Sequence, residues 1–168
     1  MVAGVSNATG VPGTCPQAAQ TNLAASVTTT GATNSSTDQC LSVNKLNPSV
    51  AKTFAAAAIN DGASTSLIFT LSNSGTNPAQ SAITVGDTLP AGLQITSATP
   101  AVAYSAGCSG PATAAYNSGT RVLSGLTGLA MANGTLSCTV SVAGVSNATG
   151  VTGTCPQAAQ TNLAASVT

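Results

Sequence analysis

Residues 64–73 read STSLIFTLSN, and their alternation decides the fold. Leu67, Phe69 and Leu71 fall on one face and Ser66, Ile68 and Thr70 on the other, the period of two expected of a strand lying against a core. Residues 134–144, GTLSCTVSVAG, repeat the pattern, with Leu136, Cys138, Val140 and Val142 inward and Ser137, Thr139 and Ser141 outward. Weaker strands are predicted at 81–88, 93–98, 112–116 and 121–123, and a last one at 162–167 with Leu163, Ala165 and Val167 facing in. Turn signals separate them: Asn60-Asp61-Gly62, Asn77-Pro78, Pro90-Ala91-Gly92, Ser109-Gly110-Pro111 and Asn133-Gly134. No helical period survives over a dozen residues, and the Ala-rich stretch Phe54 to Ile59 runs into Asn-Asp-Gly and reads as a loop. Seven or so short strands in about 120 residues predict an all-β chain, an immunoglobulin-like Greek-key β-sandwich.

The strand at 162–167 has a twin. Residues 142–168 repeat residues 2–28 with a single change, Pro12 to Thr152, at an offset of 140 residues. Two such copies predict a window cut from a tandem array with that repeat length. Residues 1–40 then read as the tail of a preceding repeat, its last strand and linker, and residues 41–168 as a sandwich repeat truncated at its C-terminal end. Met1 stands where the second copy has Ser141, which suggests a start codon added to an excised piece. In the twin segment, Leu23, Ala25 and Val27 read as the apolar face of an assembly strand that a neighbouring molecule's sheet edge could accept. A frayed terminus is the plainer reading of the same residues.

Composition narrows the chemistry. The cations are Lys45, Lys52 and Arg121 and the anions Asp38, Asp61 and Asp87, so 4% of the residues are charged, with no Glu and no His. Three dispersed cations cannot form the phosphate-neutralising patch that nucleic acid demands. Without His, the commonest general base and zinc ligand are both missing, and no Ser lies in a GxSxG elbow. These absences predict a chain that is not an enzyme and takes no cofactor. No apolar run approaches the roughly 20 residues of a membrane-spanning helix. With so few cationic residues, proteases that cut after Lys or Arg also have few sites.

The run VAKTFAAAAINDGASTSLIFTLSNSGTNPAQSAITVGDTLPAGLQI, with Cys108 in AGCSG and Cys138 in GTLSCTVSV, resembles the immunoglobulin-like conserved-repeat domains of unknown function found in tandem in large bacterial surface proteins. The resemblance covers about residues 41–145, and its most specific piece is Asp87-Thr88-Leu89-Pro90-Ala91-Gly92-Leu93. It implies a stalk or adhesin repeat without catalysis. The chain departs from that pattern in its scarcity of charge and in the loop after Gly144 that carries Cys155.

Cys15, Cys40, Cys108, Cys138 and Cys155 show no CxxC spacing, so disulfides in an oxidising compartment are expected rather than a metal knuckle. Cys15 and Cys155 occupy one repeat position, which leaves four cysteines per unit. Cys108 with Cys138 is the predicted core staple. For Cys40 two partners are open. A strand between Cys15 and Cys40 would hold them about 30 Å apart at about 3.3 Å per residue. In a sandwich the loop before the last strand returns to the pole of the first, which favours Cys40 with Cys155 over Cys15 with Cys40.

Lys45 and Lys52 raise the possibility of a Lys–Asn isopeptide bond assisted by Asp61 or Asp87; two solvated lysines near the first strand are the preferred reading. Asp87, ahead of Thr88-Leu89-Pro90, is expected to accept backbone N–H bonds in a turn, and calcium is disfavoured because three scattered aspartates supply too few oxygens. Asn7, Asn34, Asn133 and Asn147 begin N-x-S/T sequons and mark exposed loops.

The function expected from these residues is a structural repeat of an extracellular bacterial filament or adhesin stalk, assembling end to end with copies of itself. The alternative is a ligand- or carbohydrate-binding adhesin module that would use loops such as 105–115 and 147–160.

Overall fold

The computed structural model describes residues 21–42, 47–74, 78–153 and 161–162. The chain forms two compact units, Met1–Leu46 and Asn47–Thr168. No α-helix occurs among the described residues, and no helix is long and apolar enough to cross a membrane.

In the first unit β1 (Thr21–Asn22) pairs antiparallel with β2 (Gln39–Cys40), Thr21 facing Cys40 and Asn22 facing Gln39. In the single chain the segment through Leu23, Ala25 and Val27 is not a strand. Strand geometry stops at Asn22, and Ala24–Ser26 winds into a single 3-10 turn. Local polar groups hold that turn. The Asp38 carboxylate accepts the Ala24 N–H at 2.7 Å, and the Asn34 amide donates to the carbonyls of Ala24 and Val27 at 3.0 and 3.2 Å. The segment satisfies these backbone groups with side chains. Leu23 and Val27 stay 52% and 42% exposed. Cys40 is disulfide-bonded; Cys15 and Cys155 lie outside the described residues, as does the strand expected from Leu163 to Val167.

The second unit holds two antiparallel, curled sheets. In the first, β3 (Ser49–Phe54), β4 (Ser64–Ser72), β11 (Ser137–Asn147) and β6 (Leu93–Ile95) lie in that order, and β7 (Val102–Tyr104) also pairs with β11. In the second, β10 (Val122–Met131) lies between β5 (Gln80–Thr88) and β8 (Cys108–Ser109), and β9 (Ala115–Asn117) also pairs with β10. Leu67, Phe69, Leu71, Val140 and Val142 from one sheet and Val85, Leu123, Leu126 and Leu129 from the other share a single buried cluster. Alternation on β4 and β11 thus falls as the sequence predicts. Leu136 is the exception, 61% exposed because β11 begins one residue after it.

β10 is the strand the sequence reading cuts short. The expected strand ends at Leu123, yet pairing continues to Met131. Its buried leucines, Leu123, Leu126 and Leu129, recur every third residue. Between each pair sits a glycine in the left-handed region, Gly125 at φ 79° and Gly128 at φ 69°. Three residues of β10 there face two of β5: Leu123 opposes Asp87, Leu126 opposes Val85 and Leu129 opposes Ile83. Each glycine absorbs the extra residue as a β-bulge and returns the next leucine to the core. The same device, Gly144 at φ 87° between Val142 and Val145, keeps the end of β11 facing inward.

Cys108 on β8 and Cys138 on β11 form a disulfide with Cα atoms 5.7 Å apart. Because the two strands belong to different sheets, the bond ties the sheets together. It closes a segment of 30 residues.

Candidate functional site

β3 pairs only with β4 among the described strands and alternates along its length, with Val50, Lys52 and Phe54 on the less exposed face. Val50 and Phe54 pack on the core, so strand geometry turns Lys52, which lies between them, the same way. Its register partner is Phe69, at the centre of the cluster. Across the core, β5 carries Val85 and Asp87 inward on alternate residues. A lysine from one sheet and an aspartate from the other therefore meet between the layers.

The meeting is close. Lys52 Nζ stands 2.7 Å from Asp87 Oδ1, and the two side chains are 6% and 0% exposed. Lys52 Nζ also donates to Asn162 Oδ1 at 2.8 Å, and Asn162 Nδ2 donates to Asp87 Oδ2 through a very short contact. Amine, carboxylate and carboxamide close a ring in which each side chain touches the other two. Such a pair survives in a poorly hydrated interior because these charge-assisted bonds offset the loss of water.

Two expectations are corrected here. Lys52 is not a solvated lysine, since the apolar alternation of β3 carries it into the core; Lys45 lies outside the described residues. Asp87 faces the core and not merely its own turn. Its carboxylate is engaged by Lys52 and Asn162, while the Leu89 N–H of the following turn goes to the Arg121 carbonyl at 2.9 Å. The signal for both was present: Lys52 shares a period-two face with Val50 and Phe54, and Asp87 shares one with Val85. Asn162 gave no such signal, because its partners lie 110 and 75 residues away. Among the described residues no three His, Cys, Asp or Glu side chains gather in a way that could hold a metal ion.

A second feature lies at one end of this unit. A groove of about 560 Å³ runs between the 56–61 loop, Leu93 and the end of β11, with Phe54, Ile59 and Val145 in its apolar wall. Asn147 builds its polar edge. Its amide nitrogen donates to Asp61 Oδ1 at 2.6 Å and to the Val151 carbonyl at 3.2 Å, and its oxygen accepts the Gly62 N–H at 3.2 Å. This sequon asparagine thus fastens two loops together. Among the described residues of the loops proposed for ligand contact, Asn147 and Val151 to Gly153 line the groove; on the 105–115 loop, the Pro111 carbonyl accepts the Tyr104 hydroxyl at 2.7 Å. Burial pushes the Tyr104 phenol above its ordinary pKa.

A family described as a domain of unknown function (DUF7933) matches residues 48–166, which takes in both sheets and all three members of the buried ring. No curated protein and no solved structure matches the chain.

Proposed function

Because the chain belongs to the DUF7933 family, a domain of unknown function, we propose from its own residues that it is a structural repeat unit of an extracellular bacterial filament or adhesin stalk. The unit would be an immunoglobulin-like Greek-key sandwich, joined end to end with further copies of itself. The observation that carries this reading is the recurrence of residues 2–28 at 142–168, 140 residues on, with a single substitution. Near-identical units add reach and no new chemistry, which suits a spacer.

Three features support it. The disulfide between Cys108 and Cys138 suits an oxidising compartment and resists separation of the sheets. A chain with 4% charged residues and no His is poorly equipped for catalysis or for polyanions. The buried ring adds a second tie between β3 and the end of the unit.

The groove favours a second reading, a ligand-binding adhesin module, since a concave apolar wall with a fixed polar edge is how small-ligand sites are built. Phe54 is its one aromatic side chain, a weak platform for a sugar ring. One isolated unit is therefore expected to leave glycan arrays and host-cell surfaces unoccupied. Attachment that disappears when Ala57→Trp fills the groove would overturn the spacer reading.

A further inference from the structure

An ion pair between two sheets needs a lysine and an aspartate; it does not need the carboxamide that completes the ring. We propose that the second unit closes an intramolecular isopeptide bond between Lys52 Nζ and Asn162 Cγ, with Asp87 relaying the protons. The inference stands on the geometry of these three side chains, independently of the stalk reading.

Each contact has a place in that reaction. The nucleophile, Lys52 Nζ, is held at 2.8 Å from the oxygen of the carbonyl it would attack. The base, Asp87 Oδ1, is 2.7 Å from the same nitrogen. The leaving group, Asn162 Nδ2, points at the other oxygen of the same carboxylate. One acid thus touches the atom that must lose protons and the atom that must gain one. Amines and carboxamides do not react in water on any useful timescale; held in contact, as Lys52 and Asn162 are, they need only a small shift of Nζ from Oδ1 towards Cγ to reach near-attack geometry, where effective molarities of roughly 10⁵–10⁸ M apply. The Lys52 and Asp87 side chains are 6% and 0% exposed, which limits the access of water to the amine and the acid.

The step balances within the ring. A proton passes from the Lys52 ammonium to Asp87, and the freed lone pair attacks Asn162 Cγ while the carbonyl π pair moves onto Oδ1. Asp87 then protonates Nδ2. The oxygen lone pair re-forms the carbonyl, the Cγ–Nδ2 bond breaks onto nitrogen, and ammonia leaves. The new amide nitrogen gives its surplus proton back to Asp87. One amide replaces another with no change of oxidation state, and the reaction turns over once.

The topology gives the bond a mechanical consequence. Lys52 lies on the first strand of the unit and Asn162 is 110 residues further on, so the link would bypass nearly the whole fold when the unit's ends are pulled. The repeat supplies an internal control. Asn22 is the twin of Asn162 in the same QTNLAASVT context, but it sits exposed on β1 and its Oδ1 accepts the Ser26 hydroxyl at 3.0 Å. Asn22 is expected to keep its amide.

The test is the mass of the reduced protein, expected to fall about 17 Da below the sequence value as ammonia is lost. Cyclisation at Asn133-Gly134 would cost the same mass, so the link is located by fragmenting a broad-specificity digest. A branched peptide joining Lys52 to Asn162 is expected, absent from Lys52→Ala, Asn162→Ala and Asp87→Asn. Folded wild-type protein at full mass, yielding only linear peptides for both residues, would overturn the proposal. So would a branch from Lys52 to Asn22 in its place. An Asp87→Asn protein that links as completely and as fast as wild type would remove Asp87 from the mechanism. Because the positive reading comes from the wild-type chain, a variant that fails to fold does not obscure it.

Discussion

Replacing Asp87 by Ala is expected to lower the unfolding free energy by about 3–5 kcal/mol, the cost of leaving a buried charge without its partner. Lys52 is 6% exposed, and β3 holds it between Val50 and Phe54, so its ammonium cannot reach water without disturbing the strand. Asn162 would lose its acceptor at the same time. If the Lys52–Asn162 bond has closed in the reference protein, its loss adds a loop-closure contribution of about 5 kcal/mol for residues 110 apart. Urea unfolding followed by far-ultraviolet circular dichroism reads the effect. A double variant, Lys52→Met with Asp87→Leu, removes both charges and is expected to recover most of the first cost, because well-packed apolar pairs often replace buried ion pairs without penalty. Recovery should be incomplete, since the Asn162 amide loses its contacts with Lys52 and Asp87. A loss below about 1 kcal/mol for Asp87→Ala would mean that the pair is hydrated, as surface pairs are.

Removing the staple between the sheets has the next largest effect. Cys108→Ala with Cys138→Ala is expected to cost about 3 kcal/mol, mostly through the greater freedom of the unfolded chain once the 30-residue loop opens. Both positions are changed together so that no free thiol remains. Because the unfolded chain also expands, the urea dependence should steepen as the midpoint falls. Cys138 is buried beside Leu71, its register partner on β4, so Ala there loses little packing beyond the sulfur. An unchanged midpoint would show that the sheets are held by the leucine and valine cluster alone.

The sequence carried the fold where one strand has one buried face. β4 and β11 were legible because Leu67, Phe69, Leu71, Cys138, Val140 and Val142 alternate without interruption. β10 was not legible beyond Leu123, since two glycine bulges stretch its apolar spacing from two residues to three, a period that resembles neither strand nor helix. Short β7 and β8 were missed for a different reason: two or three residues cannot display a period. In the single chain the alternation at Leu23, Ala25 and Val27 is not expressed as a strand, because Ala24–Ser26 winds into a 3-10 turn held by local polar groups. Within the candidate site, Lys52 and Asp87 stand out in the sequence as residues, but their charge points the wrong way. Charge suggested solvent, whereas the apolar neighbours at two-residue spacing on each strand dictated burial. Asn162 depends on tertiary placement and could not be read locally.

On the proposed stalk reading, the buried ring and the staple are what would let one unit resist being pulled apart, and the recurrence of residues 2–28 at 142–168 is what the copying of units would leave. That central claim concerns length. Electron microscopy of chains carrying increasing numbers of the 140-residue repeat measures it directly. The account predicts slender particles whose contour length grows by a constant increment with each added copy. Compact particles whose longest dimension fails to grow in step with copy number would contradict it.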